Sequence, residues 1–292
     1  MEIEDFAILF AAGLSHLQCR ELCEAAAGYK VSRLNLYPAP LSAVAAWCHE
    51  RRLVIELSAY GVEEFLRPEG KGHWSNIGRR TAVGRGLRFC YVARRPDDAR
   101  AARDAEASED FSPMMMARLL RIPTCCAEFF VDHKEQAVEG YADDYAVLTT
   151  RSTAVEGPHP WEVNYLAQYF GFSLIHHYPC SWSCPATLAR ARDSLALVRS
   201  VSPEWAATFA REMPGVVVFE NLLAVHLIQA APGRDAVEFT AHQVRSTSTT
   251  ALGEALRVSG RLSWSSPTTF SVNGSAPWQG SDGVERSVIA FG

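Results

Sequence analysis

Between residues 112 and 203 the chain repeats one device, a capping residue or proline set directly before a helix-forming run. It occurs at Ser112-Pro113, at Thr124 before Cys125, at Pro160 before Trp161, at Cys184-Pro185 and at Ser202-Pro203. Ser, Thr and Cys can accept at an N-cap, and proline is tolerated at the first helical position because its missing N–H has no intrahelical partner there. The middle of the chain is therefore predicted to be helical. After Gly215 the pattern changes to VVVF, LLAVHLI, VEFTAHQV, LRVSGRLSW and TTFSVNG, short runs separated by Gly, Pro and Ser, as strands require.

The first hundred residues mix both patterns. Residues 5–12 (DFAILFAA) read as a strand, and Ser15 with Gln18 makes a capping box for a helix that Gly28 can end. Residues 30–37, 53–57 and 86–95 read as further strands, with a packed helix over 41–52. Residues 96–110 hold Ala, Arg, Asp and Glu without large apolar side chains, as in a solvated helix or connection. The class expected is α+β: an N-terminal α/β layer over 1–105, a helical region over 106–214 carrying the cysteine clusters, and a strand-rich region over 215–292.

The composition narrows the function classes. A 48% hydrophobic content over 292 residues supports a sizeable core. A formal charge of −5 supplies no general field for nucleic acid. No apolar run reaches the roughly 18 residues that a membrane helix needs, and Glu2, Glu4 and Asp5 stand where a secretory leader would carry positive charge. A cytoplasmic protein is expected, without membrane or nucleic-acid partners. In a reducing compartment its eight cysteines serve packing, catalysis or metal binding rather than a disulfide framework.

Two pairs of cysteines carry chemistry. Cys125 and Cys126 fall in the first turn after Thr124, and Cys180 and Cys184 flank a turn ahead of Pro185. Helix N-termini favour negative sulfur through free N–H groups and the dipole. Cys180-x3-Cys184-Pro185 has the spacing that ends a bacterial ferredoxin run, and neither cluster has the Cys-x2-Cys knuckle usual for zinc, so an iron–sulfur cluster (4Fe-4S) is the first expectation and zinc the alternative. Adjacent side chains diverge, so one of Cys125 and Cys126 is expected as ligand and the other as its neighbour.

Around these sulfurs, His176, His177 and Glu128 are the candidate acid, base or proton-carrying groups. A metal-free cysteine nucleophile using one of those histidines as base is a further alternative. Residues 67–100 carry nine Lys or Arg, and Lys71, Arg79 and Arg80 beside glycine turns are candidates for holding an anionic group. A small polar or anionic metabolite is thus the expected substrate, changed by sulfur transfer or redox tailoring. Trp161, Asn164, Tyr165 and Gln168 form one helical face, and Met114 to Met116 are expected to fill core near the first cysteine pair.

The pairing of Pro123-x-Cys125-Cys126 with the later His177-x-Pro179-Cys180-x3-Cys184 turn resembles an uncharacterised prokaryotic family known only as a domain of unknown function. The resemblance covers Ile122–Phe130 and Trp161–Leu188. It implies that the two clusters belong together and brings no activity with it.

Overall fold

The computed structural model describes residues 1–64, 78–84, 86–108, 112–141, 144–154, 157–221, 223–278 and 284–292. It is an α+β protein, 46% helical and 22% strand, with its strands in several small sheets. The chain forms two units, each built from discontinuous segments. Of the described residues, one takes in those within Met1–Phe65, Ile77–Val131 and Arg192–Ala207, and the other those within Asp132–Ala191 and Thr208–Gly292.

In the first unit, β1 (Ser32–Leu36), β5 (Arg88–Ala93) and β2 (Val54–Leu57) make an antiparallel sheet in the order β1-β5-β2, while β3 (Gly61–Glu64) and β4 (Gly78–Thr81) pair separately. The helix Pro96–Ala107 packs on the sheet. Its Ala99, Ala102 and Ala105 recur every three residues and are buried with Val31, Tyr91, Ala93 and Met116. Small side chains are what let a helix with charged flanks approach a sheet closely, so this stretch is the helix of the two alternatives, solvated on its charged side and part of the core along its alanines.

The apolar run at residues 5–12 is helical, Ile3–Phe6 followed by Ala7–Ala11, and not the expected strand. A short apolar run does not distinguish a buried helix from a buried strand. Here Phe6 and Leu9 point inward three residues apart, with Phe6 set against Trp47 and Trp205 at 5.3 and 5.1 Å between ring centroids. The next helix, His16–Ala26, begins on the expected Ser15–Gln18 capping box and ends before Gly28, whose φ of +71° suits glycine. On it Arg20 and Glu24, both fully buried, pair at 3.0 Å, and Lys30 pairs with Glu21 and Glu24. Charges taken out of water in this way are tolerated because each has an opposite partner at contact.

The second unit holds an antiparallel sheet in the order β12-β6-β7-β9, made of β6 (Gly215–Glu220), β7 (Ala224–Ile228), β9 (Val244–Ser246) and β12 (Arg286–Phe291). A three-stranded sheet, β11-β10-β8, adds β8 (Ala236–Phe239), β10 (Gly260–Ser266) and β11 (Thr269–Val272). Every residue of β6, β7 and β12 is buried; β6 and β7 are the central strands, and their near-continuous Val, Ile and Leu content fits that place. Val216, Val218, Ile228, Leu252, Leu262 and Val288 share one core. Inside it the Glu220 carboxylate accepts from His226 Nε2 and Arg286 Nε, each at 2.9 Å, and from the Thr250 hydroxyl.

Two expectations for this region are corrected. The run after Pro160 forms two short 3-10 turns, Trp161–Val163 and Tyr165–Phe170, in place of one helix. Asn164 interrupts them: its amide donates to Met213 O at 2.6 Å while its Oδ1 caps Ala167 N–H at 3.2 Å. The run FSLIHHY over 172–178 has the apolar content of an extended segment, yet it joins no sheet among the described residues. Their core position comes from side chains such as Leu174 and Ile175, which are almost fully buried without strand pairing.

Candidate metal centre

The helix Thr124–Asp132 begins one residue earlier than a Thr124 cap would place it. Pro123 O accepts from Cys126 N–H at 2.9 Å and Ala127 N–H at 3.0 Å. Cys125 and Cys126 still fall in its first turn, Cys125 exposed and Cys126 buried. Their sulfurs are 3.9 Å apart, so the adjacent side chains converge.

The helix Pro185–Val201 starts as expected. Cys184 stands at its cap, with its carbonyl accepting from Leu188 N–H at 3.0 Å. Cys184 is 3% exposed and Cys180 half-buried. The four sulfurs of Cys125, Cys126, Cys180 and Cys184 all lie within 4.8 Å of one another, which makes them a group able to hold a metal ion.

The loop 180–184 is held from below by hydroxyls on and after the short helix Ala146–Ser152. Thr149 Oγ1 donates to Pro179 O at 2.7 Å, and Ser152 Oγ donates to Cys180 O at 2.6 Å. Trp182 donates through its backbone N–H to Thr153 Oγ1 and through its indole N–H to Thr150 Oγ1, both at 3.0 Å. The Thr150 and Thr153 hydroxyls in turn donate to Ala146 O and Thr149 O at 2.8 and 2.7 Å, so each both gives and receives a hydrogen bond. Ser183 Oγ meets His159 Nδ1 at 3.0 Å. These positions were not anticipated. The run Thr149-Thr150-Arg151-Ser152-Thr153 is the signal that could have pointed to them, since four β-hydroxyls in five residues are unusual helix material.

Burial lowers the His159 imidazole from 6.5 to about 4. The unfolded chain then binds a proton that the folded chain refuses between those values, so His159 makes stability fall as pH drops from about 6.5 to about 4. Below that window its effect levels off. The variant H159Q is expected to flatten this part of the pH dependence, read by urea unfolding at neutral pH and at about pH 5. An unchanged slope would count against the assignment.

The remaining candidates sit as follows. His177 is buried, its Nε2 3.2 Å from Thr187 Oγ1 on the helix that follows Cys184, and His176 is half-buried with its ring 5.6 Å from that of His177. Glu128 is exposed on the helix of the first pair. Arg80 stacks over Tyr60 at 4.3 Å and donates to Glu106 O at 3.2 Å. Lys71 and the Arg79 side chain lie outside the described residues. Met116 is core, whereas Met115 is 45% exposed, because a helix turns consecutive residues to different faces.

The other four cysteines are buried within apolar surroundings. Desolvation pushes Cys23 and Cys48 up to about 12 and Cys19 and Cys90 higher still, so they stay protonated as packing groups.

Comparison of the chain with protein-family models, with curated proteins and with solved structures finds no match. Among the described residues no helix is long and apolar enough to cross a membrane.

Proposed function

We propose that Cys125, Cys126, Cys180 and Cys184 bind one metal ion, zinc in the first instance, as a tetrathiolate centre. The observation that supports this is the spacing of the sulfurs. A tetrahedral ion at about 2.3 Å from each thiolate sets its ligands about 3.8 Å apart, and the group needs only a small contraction from its 4.8 Å limit to reach that. The Cys125–Cys126 separation of 3.9 Å already meets it. Four protein ligands complete a zinc shell, so the centre acts by fixing the loop 180–184 and the helix starts beside it.

A second reading is an iron–sulfur enzyme that modifies a small polar or anionic metabolite by sulfur transfer or redox tailoring. The Cys-x3-Cys-Pro spacing and the exposure of Cys125 favour it, because an exposed ligand leaves an iron approachable. It requires the sulfurs to spread, since a 4Fe-4S cluster places irons and sulfides between thiolates that bind different irons.

Metal content and absorbance of protein purified without oxygen, beside a Cys180→Ala variant, test both. One zinc per chain in a colourless sample, lost in the variant, is the expected result. Iron with acid-labile sulfide would replace it by the second reading, and a folded protein without metal would remove both.

A further inference from the structure

A cavity of about 430 Å³ opens in the second unit, within the size range of small-molecule sites. Its wall includes Trp182 and Trp264 with the apolar residues Val288, Ile289 and Ala290. Trp182 is 1% exposed and is fixed by the two threonine hydroxyls described above and by an edge contact to Phe291 at 5.5 Å. Trp264 is half-buried, its backbone N–H held by Asp235 O at 2.9 Å. Trp264 is therefore the indole whose surface a ring can reach, while the buried Trp182 holds that part of the wall rigid.

The lining also has polar members, His159, Ser265 and Ser266 among them, and two adjacent residues of opposite charge, Arg234 and Asp235. Both are exposed. Among the described residues neither side chain takes part in a hydrogen bond or an ion pair, so one cation and one anion stand uncommitted at the same cavity. A ligand of a single sign would satisfy one of them and be repelled by the other. A ligand carrying a carboxylate and an ammonium on neighbouring atoms satisfies both.

We propose that this cavity binds a free aromatic α-amino acid. Its carboxylate pairs with Arg234, its ammonium with Asp235, and its ring packs against Trp264. The proposal is independent of the metal centre, although the loop 180–184 contributes to both, and a failure of either leaves the other standing.

L-Phenylalanine is the probe, titrated calorimetrically into the protein as isolated, with phenylacetate and phenethylamine as analogues that each lack one charged group. The expected result is a Kd of about 1 mM or tighter for phenylalanine and binding at least about tenfold weaker for either analogue. Arg234→Gln should remove the preference over phenethylamine, and Asp235→Asn the preference over phenylacetate. Both substitutions fall on exposed side chains, so folding survives them. No binding of phenylalanine at about 10 mM, equal binding of all three compounds, or tighter binding of adenosine or glucose than of phenylalanine would overturn the proposal.

Discussion

Replacing Cys184 by serine is expected to release the metal and to lower the melting temperature by about 10 °C. The substitution isolates the thiolate. Cys184 caps the helix that starts at Pro185, and serine is itself a good N-cap, so the helix start is kept while a sulfur ligand is lost. An ion that binds only the folded chain at about a thousand times its Kd stabilises by about 4 kcal/mol, and each kcal/mol moves the melting point of a unit this size by roughly 2–4 °C. Chelation of the unaltered protein should reproduce the shift. Cys48→Ser serves as the contrast: it places a hydroxyl in a fully buried site and costs stability, yet leaves the metal content unchanged. A Cys184→Ser protein with full metal and an unchanged melting point would contradict the tetrathiolate reading.

Arg286→Met is the other substitution with a large expected effect, a loss of about 3–5 kcal/mol. Arg286 and Glu220 face each other across the β12–β6 pairing, 6% and 1% exposed at the side chain. Desolvation pushes the Glu220 carboxyl up, but the hydrogen bonds from His226, Thr250 and Arg286 together outweigh it and hold the carboxyl below its ordinary range. Removing the guanidinium leaves a buried carboxylate with weaker compensation, and its pKa should rise. The loss is therefore expected to be greatest at neutral pH and to shrink as the carboxylate is protonated on acidification. Urea unfolding of Arg286→Met beside the double variant Arg286→Met/Glu220→Gln checks this, since the second change removes the stranded charge and should recover part of the stability. A double variant no more stable than the single one would show that packing, not charge, sets the loss.

The parts of the fold legible in the sequence are those dictated by local chemistry. Ser112-Pro113, Cys184-Pro185 and Ser202-Pro203 all start helices, because a cap and a proline act within one turn and need no tertiary context. The valine-rich run after Gly215 is the expected strand for a similar reason, since β-branched side chains fit a buried pleated surface. Phe6 and Leu9, by contrast, lie in a run too short to have a readable period, and only the aromatic cluster that receives Phe6 decides for helix. The alanine stripe on Pro96–Ala107 was hidden because composition records small residues without recording what they face.

The candidate centre divides in the same way. Thiolate-favouring positions at helix starts can be inferred from Thr124 and Pro185, and the four sulfurs do come together. That Cys125 and Cys126 converge depends on side-chain rotamers, which residue spacing does not encode. His159 and the threonines of 149–153 acquire a role only once the loop they hold is in place.

The pentapeptide Cys180-Ser181-Trp182-Ser183-Cys184 has no idle member. Ser181 closes the turn through its carbonyl and its hydroxyl, which accept from Cys184 N–H and Ser183 N–H at 3.0 and 3.2 Å. Saturation mutagenesis scored for cellular abundance should accordingly find five consecutive intolerant sites here, a cold spot on a stretch in which Cys180, Ser181 and Ser183 are only half covered by the rest of the chain.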